Sequence, residues 1–123
     1  AAATAIAAHY GIPYHRIELA WLSAFLPTGM HAQGSSHASG ALGVDAVWVP
    51  NHNGVMLNMA AAWAEAQSAK YVLFGANQEE AAAGFPDNTA AYREALNKAL
   101  AFSTQNAVQV EAPLEHLNKD EIV

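Results

Sequence analysis

The sequence predicts an α/β fold built on a parallel, doubly wound sheet. Short apolar runs alternate along the chain with longer segments whose apolar residues recur every three or four positions, as in strands between helices. Residues 71–75, Tyr-Val-Leu-Phe-Gly, are a continuous apolar run, which is typical of a central strand buried on both faces. Ligands of such sheets bind where the strands end, so the residues after Phe74 and after Val110 are the first candidates for a site.

The first third of the chain predicts three short elements and a loop. A helix is expected over residues 2–10, which are mostly alanine, and it should end at Gly11 and Pro13. Alternation of polar and apolar residues predicts a strand at 15–19, and the apolar residues 20–26 predict a short buried helix. Residues 27–44 contain four glycines and no sustained periodicity, which predicts a long loop.

The next helix is predicted from residues 51–54 to about Gln67, with Asn53 as its N-cap. Before it, residues 46–50 are expected to be extended. The helix residues at spacings of three and four should face the core. They are Val55, Met59, Ala62, Trp63 and Ala66.

The last part of the chain predicts a turn, a helix, a strand and the start of another helix. The turn lies at residues 84–88, and Asn88 is a suitable N-cap for a helix with a core-facing stripe. That stripe consists of Tyr92, Leu96, Ala99 and Leu100. Residues 107–111 predict a strand, and Asn118 with Glu121 has the spacing of a capping box.

Composition excludes several classes of function. The 123 residues are 53% hydrophobic and carry a formal charge of -6, and the five basic residues are scattered, so direct nucleic-acid binding is not expected. The absence of cysteine excludes a disulfide or thiolate metal site within this chain. No window is long and apolar enough for a membrane span, which predicts a soluble, cytoplasmic protein.

A polar cluster follows the predicted central strand, and it is the leading candidate for a substrate cleft. Its members are Asn77, Glu79, Glu80, Asp87 and Asn88. Carboxamides can read the edge of a heterocyclic base, and carboxylates can hold Mg²⁺. We expect substitution of Asp87 or Glu80 to lower turnover far more than stability, because a solvated carboxylate contributes little to folding. The alternative is an ordinary solvated loop.

A second candidate is the start of the helix near residue 52, where free N–H groups can bind a phosphate. Asn51, His52 and Asn53 are the residues concerned, and simple helix capping is the alternative. Six histidines are present, but none forms the His-x-x-x-His pair that places two imidazoles on one helix face. No metal site is therefore predicted from this chain.

Several motifs, taken in order, resemble the 7-cyano-7-deazaguanine synthase family. They include Val-Pro-Asn-His-Asn-Gly at 49–54, Gly-Ala-Asn-Gln-Glu-Glu at 75–80 and Phe-Pro-Asp-Asn at 85–88. The blocks at 55–62, 95–100, 110–114 and 118–123 continue the match, and Gly-Ser-Ser at 34–36 is similar to a Gly-Gly-Ser stretch of the family. The resemblance covers nearly the whole chain.

The resemblance implies that residues 1–123 are part of a single ATP-pyrophosphatase-type domain, with a Rossmann-like, adenine nucleotide alpha hydrolase-like fold. Members of the family use ATP and Mg²⁺ to convert 7-carboxy-7-deazaguanine and ammonia into 7-cyano-7-deazaguanine for queuosine biosynthesis. They are cytoplasmic, often homodimeric, and bind Zn²⁺ through C-terminal cysteines. The substrate would then lie against the polar cluster, and the nucleotide against residues 51–53.

Three departures from the family pattern limit what this chain is expected to do alone. The Ser-Gly-Gly-x-Asp-Ser loop for ATP phosphates has no counterpart, the zinc cysteines are missing, and His52 stands where the family usually has arginine. We therefore expect a portion of a longer enzyme, inactive in isolation and weak in binding ATP. The alternative is a non-catalytic, nucleotide-like binding or oligomerisation module that retains the scaffold.

Overall fold

The computed structural model describes residues 2–21 and 49–122. The chain divides into two compact units, Ala1–Gly34 and Ser35–Val123. Within the described residues, no helix is long and apolar enough to cross a membrane.

The first unit contains the predicted N-terminal helix, α1 (Ala2–Tyr10). Gly11 adopts a φ of 64°, and the Ile12 N–H donates to the Ala7 carbonyl over 2.9 Å, which closes the helix as a glycine C-cap does. The predicted strand at 15–19 is wrong. Those residues pair with no described strand, and the polar members of the alternation, Arg16 and Glu18, form an exposed ion pair of 3.0 Å instead.

Two other predictions for this part of the chain cannot be compared with the structure. The helix at 20–26 lies outside the described residues apart from Ala20 and Trp21, and the loop at 27–44 lies wholly outside them. Of the extended segment at 46–50, only Val49 and Pro50 are described.

The second unit alternates helices with two short strands. In chain order its elements are α2 (His52–Ala66), β1 (Tyr71–Leu73), α3 (Gln78–Ala82), a 3-10 turn (Pro86–Asn88), α4 (Ala90–Ser103), β2 (Gln109–Glu111) and α5 (Lys119–Ile122). β1 and β2 run parallel, with Val72 opposite Val110. The predicted α/β class with parallel strands is therefore confirmed, whereas the doubly wound sheet stays a prediction.

One face of the sheet carries the core. Helices α2 and α4 both pack on it, and the buried cluster consists of Leu57, Ala61, Ala64, Leu96, Leu100, Val108 and Val110. Val72 and Phe74 pack against this cluster from β1 and the residue after it. Burial of these apolar side chains is the main force holding the two helices to the strands.

The other face of β1 shows that the prediction of a strand buried on both faces is wrong for the described residues. Tyr71 is 55% exposed and Leu73 is 75% exposed, while their neighbour Val72 points toward the core. Side chains alternate along a strand, and both described helices that contact the sheet cover the Val72 face. The described residues therefore cover the apolar run on one face only.

In the part of the chain that the structure describes, a side chain rather than another strand closes the outer edge of β2. The Asn97 carboxamide donates to the Val110 carbonyl over 3.0 Å and accepts from the Val110 N–H over 2.7 Å. These two bonds satisfy the backbone groups that a neighbouring strand would otherwise engage. Asn97 thus ends the sheet at β2 and fixes α4 against it.

The predicted core face of α2 is wrong for three of its five residues, while Val55 and Met59 are half-buried. The buried residues are Gly54, Leu57, Ala61 and Ala64, whereas Ala62, Trp63 and Ala66 are exposed. This helix is apolar around most of its circumference, so periodicity alone could not select the face, and small alanines allow the closest approach to the strands. For α4 the stripe is confirmed at Leu96 and Leu100, although Ala99 is exposed.

The predicted caps are confirmed in one case and wrong in two. Asn118 and Glu121 form the capping box of α5, with bonds of 2.9 and 3.0 Å. Asn88 lies in the 3-10 turn, and Thr89 caps α4 by accepting the Tyr92 N–H over 3.2 Å. Asn53 lies inside α2 rather than before it, because Asn51 takes the N-cap position.

Candidate functional site

A cleft of about 390 Å³ lies at the carboxyl end of β1. Its walls come from the start of α2, the residues after β1, α3 and the turn before α4. The lining residues are Val49, His52, Asn53, Phe74, Gly75, Glu80, Phe85, Asp87 and Asn88. This is the position at which ligands bind in parallel α/β sheets.

Backbone hydrogen bonds hold the segment from Phe74 to Asn88 around the cleft. The Phe74 N–H donates to the Glu111 carbonyl over 2.8 Å, so the ladder continues one residue past β1. Asn77 then begins α3, and the chain turns back at Phe85, whose carbonyl accepts the Asn88 N–H over 3.1 Å. The result places Glu80 and Asn88 in the walls of one cleft.

The structure brings together most, but not all, of the residues predicted from sequence. Glu80, Asp87 and Asn88 of the predicted substrate group line the cleft, as do His52 and Asn53 of the predicted nucleotide group. Asn77, Glu79 and Asn51 do not line it. The expectation that the whole substrate group converges on one cleft is therefore wrong for Asn77 and Glu79.

Asn77 and Glu79 have contacts that organise α3. Asn77 is buried, and its side-chain oxygen accepts the Glu80 N–H over 3.1 Å as an N-cap. The Glu79 carboxylate lies 3.5 Å from the Lys119 ammonium group in an exposed ion pair between α3 and α5. Both residues therefore support the segment that presents Glu80 to the cleft.

Asp87 is buried, with only 6% of its surface exposed. One carboxylate oxygen, Oδ2, accepts the Asn53 N–H over 3.1 Å at the start of α2. A carboxylate at this place is stabilised by the free N–H groups and by the helix dipole. The premise of a solvated carboxylate at this position is wrong, so substitution of Asp87 should affect folding as well as turnover.

Several polar groups face the cleft without a protein partner among the described residues. The carboxylate of Glu80, the carboxamide of Asn88 and the imidazole of His52 make no hydrogen bond or ion pair there. The second oxygen of Asp87, Oδ1, likewise accepts no hydrogen bond, and it keeps contact with solvent. Unengaged polar groups in a concave site are available to a ligand.

Residues 51–53 adopt a conformation that limits phosphate binding at the start of α2. Asn51 has a left-handed backbone with φ of 51°, and its side chain lies against Gly54, where a Cβ atom would overlap it. The Asn53 N–H is already donated to Asp87, and the His52 N–H donates to the Val49 carbonyl over 3.2 Å. Two of the free helix N–H groups are thus engaged within the protein.

The charge lining the cleft is acidic. No lysine or arginine lines it, whereas Glu80 and Asp87 do. Burial, and secondarily the Asp87 carboxylate, raises the pKa of the nearby Tyr92 phenol above its ordinary value. Arg93 is engaged elsewhere, in a two-bond pair with Glu115 at 2.8 Å, and this hydrogen bonding raises the pKa of the guanidinium.

No group of three or more histidine, cysteine, aspartate or glutamate side chains comes together in the part of the chain that the structure describes. Glu80 and Asp87 are two carboxylates in one cleft, and a dedicated all-protein cation site needs more oxygen ligands.

Sequence reasoning missed the aromatic walls of the cleft. Phe74 belongs to the predicted strand and Phe85 to the predicted turn at 84–88, so the sequence pattern marks both as parts of these elements rather than as lining residues. The position of Phe74 next to the strand terminus was the available sign, because residues at that place line the ligand crevice of parallel sheets.

Comparison with known proteins gives a consistent result. Residues 1–123 match the family model described as "Queuosine biosynthesis protein QueC". The chain is 41% identical, over 129 aligned positions, to a 7-cyano-7-deazaguanine synthase of Bdellovibrio bacteriovorus, and 42% identical over 137 positions to one of Pelotomaculum thermopropionicum. The alignments cover 96% and 99% of this chain, but only 55% and 60% of those relatives. No solved structure gives a significant match.

Proposed function

The chain belongs to the family of the queuosine biosynthesis protein QueC, and we propose that the complete protein containing it is a 7-cyano-7-deazaguanine synthase. The proposed reaction is the ATP-dependent conversion of 7-carboxy-7-deazaguanine and ammonia into 7-cyano-7-deazaguanine, in which the carboxylate first becomes an amide and then a nitrile. The names of the relatives support this assignment.

The composition of the cleft is the observation that carries the proposal. Two phenylalanines, Phe74 and Phe85, line a space that also contains an unengaged carboxylate and an unengaged carboxamide. A deazaguanine offers a flat aromatic surface and N–H donors along one edge. Aromatic walls suit the flat surface, and acidic and amide oxygens suit the N–H donors.

We assign the direct polar contacts with the heterocycle to Glu80 and Asn88, because their side chains are free to bind a ligand. A carboxylate can accept two neighbouring N–H groups, which would orient the ring and its reacting carboxyl group. Asn77 and Glu79 would act through α3, since their polar groups are already engaged. Asp87 completes the same wall.

The cleft does not fit the phosphates of ATP. Triphosphate groups require lysine, arginine or a set of free N–H groups, and the lining residues supply none of the first two. Among the described lining residues, only the His52 side chain can become cationic, and the Asn53 N–H is occupied. We propose that the phosphates and Mg²⁺ bind through other residues of the complete protein.

The remaining features of the proposal concern the complete protein. The family's zinc is held by cysteines, and this chain has none, so those thiolate ligands would come from other residues of the complete protein. The resemblance supports a cytoplasmic homodimer with a full, doubly wound Rossmann-like sheet. What this chain itself contributes is a pocket that binds and orients the deazapurine and excludes water from its ring.

The full-length protein tests the proposal when it is supplied with 7-carboxy-7-deazaguanine, ammonia and ATP, and the nitrile is measured by mass spectrometry. Substitution Glu80→Gln should lower kcat/KM for the deazapurine about tenfold or more, because it replaces an acceptor oxygen with a donor. Glu94→Gln, the same change on the exposed side of α4, is the matched control and should leave kcat/KM unchanged.

Three outcomes would contradict parts of the proposal. If no nitrile forms under these conditions, the proposed reaction is wrong. If the protein binds the deazapurine without turning it over, a non-catalytic binding module is favoured. If Glu80→Gln and Glu94→Gln change kcat/KM equally, Glu80 does not contact the substrate.

A further inference from the structure

Asn53 and Asp87 bind each other through two hydrogen bonds that run in the same direction. The Asn53 N–H donates to Asp87 Oδ2 over 3.1 Å, and the Asn53 side-chain amide donates to the Asp87 carbonyl over 3.5 Å. The two residues are 34 positions apart. They therefore join the start of α2 to the turn before α4, across the wall of the cleft.

This contact matters because α2 has no side-chain cap of its own. Asn51 is at the N-cap position with a left-handed backbone, and its side chain makes no capping bond. Each of the other helices α3, α4 and α5 is capped by a side chain no more than three positions from the N–H that it accepts. At α2 the acceptor comes instead from Asp87, and it reaches the helix from the opposite wall.

We propose that Asp87 is a positioning residue that holds His52 and Asn53 in the cleft wall by capping α2 from the turn at residues 86–88. Its burial of 94% of its surface and its engaged oxygen support this role over a direct contact with the substrate. The activity readouts described next rest on the proposed synthase function, whereas the exchange readout does not.

The physical argument is one of preorganisation. Free N–H groups at a helix start are satisfied by the nearest acceptor, and without Asp87 the first turn of α2 would have to bind water and fray. His52 and Asn53 would then sample several positions instead of one. Substrate binding would have to order them again, which weakens binding more than it slows the chemical step.

The test uses three variants of the full-length protein. Asp87→Ala removes the acceptor, and Asp87→Asn retains an oxygen of the same reach for the Asn53 N–H. Asp87→Ala removes one side-chain bond to backbone, because the Asp87 carbonyl remains. Asn97→Ala is the control, because it removes two side-chain bonds to backbone at the outer edge of β2, away from the lining residues. Amide hydrogen exchange and steady-state kinetics are measured on all three.

We expect Asp87→Ala to raise the hydrogen-exchange rate of the Asn53 amide. The increase should be about tenfold larger than the increase at the amides of α4. Asp87→Ala should also raise KM for 7-carboxy-7-deazaguanine about tenfold, with kcat within about threefold of the original. Asp87→Asn should bring both the exchange rate of the Asn53 amide and the KM most of the way back to those of the original protein. Asn97→Ala should destabilise the fold without changing KM or the relative exchange at Asn53.

Other results would overturn the role. If Asp87→Asn is as impaired in KM as Asp87→Ala while the Asn53 amide stays protected, Asp87 contacts the substrate through Oδ1 instead. Unchanged exchange at Asn53 in Asp87→Ala would show that the cap is not needed. If the original protein forms no nitrile, the synthase assignment fails, and the exchange comparison still decides whether Asp87 positions α2.

Discussion

The starts of α2 and α4 show two different ways to cap a helix. α4 is capped locally, since the Thr89 hydroxyl accepts the N–H of Tyr92, three positions along the chain. α2 is capped from a distance, since Asp87 accepts the N–H of Asn53 from 34 positions away. A local cap defines where one helix begins, whereas a distant cap also fixes two segments relative to each other. Only the distant cap builds a wall of the cleft.

The C-terminal part of the chain also contains one local contact and one contact between distant residues. The capping box of α5 joins Asn118 and Glu121, which are three positions apart and exposed. Arg93 and Glu115 are 22 positions apart and join α4 to the segment after β2, with side chains only 17% and 21% exposed. Contacts between distant residues should therefore matter more to stability than local ones, which the following substitutions test.

The largest effect on stability is expected at the distant cap. Asp87→Ala should lower the free energy of unfolding by about 2 kcal/mol, because it leaves a helix N–H without its acceptor in the wall of the cleft. Asp87→Asn should cost less than half as much. Urea unfolding of the full-length protein measures both values. A variant Asp87→Ala as stable as the original would show that the distant cap is not a stabilising contact.

A smaller, pH-dependent effect is expected at the distant ion pair. The hydrogen bond from Arg93 holds the pKa of the Glu115 carboxyl below its ordinary value of 4.5. A carboxyl with a lowered pKa stabilises the fold above the unfolded value and loses that contribution as pH falls through the folded value. Glu115→Gln should therefore cost about 1 kcal/mol at neutral pH.

The difference in the free energy of unfolding between Glu115→Gln and the original protein should shrink as the pH falls below 4.5, the ordinary pKa of this carboxyl. Unfolding curves collected across this pH range provide the measurement, and Glu94→Gln is a control for loss of charge. A difference that stays constant with pH would mean that the ion pair does not contribute through its charge.

The smallest of the three effects is expected at the local cap of α4. Thr89→Ala should lower the free energy of unfolding by about 0.8 kcal/mol, because water can partly replace the hydroxyl at an accessible helix end. Thr89→Ser keeps the oxygen and should retain most of the stability. A loss at Thr89→Ala larger than at Asp87→Ala would reverse the contrast between local and distant caps.

The local features of the fold were the ones that the sequence could predict. The end of α1 at Tyr10, the extent of α2 and the capping box at Asn118 depend on neighbouring residues, and the structure has them as expected. The strand predicted over 107–111 is present but shorter, at Gln109–Glu111. The buried face of α2 was not predictable, because that helix is apolar nearly all round. The exposure of one face of β1 was not predictable, because an apolar run alone does not indicate which segments of the chain pack on each face of the strand.

The candidate site shows the same division. The position of Glu80 after β1 followed from the rule that ligands bind at strand ends, and the structure places it in the cleft. The burial of Asp87 could not be predicted, because it depends on a contact with Asn53 that only the folded chain creates. Local spacing likewise favoured Asn53 and Asn88 as caps, whereas the caps are made by Asp87 and Thr89.

The most direct test of the account is a crystal structure of the full-length protein with 7-carboxy-7-deazaguanine bound. We predict that the heterocycle lies in the cleft between Phe74 and Phe85, with its N–H edge within about 3 Å of the Glu80 carboxylate. Asp87 should still accept the Asn53 N–H in that complex. Deazapurine bound elsewhere, with the cleft at the end of β1 empty, would contradict the central claim that this chain supplies the substrate pocket.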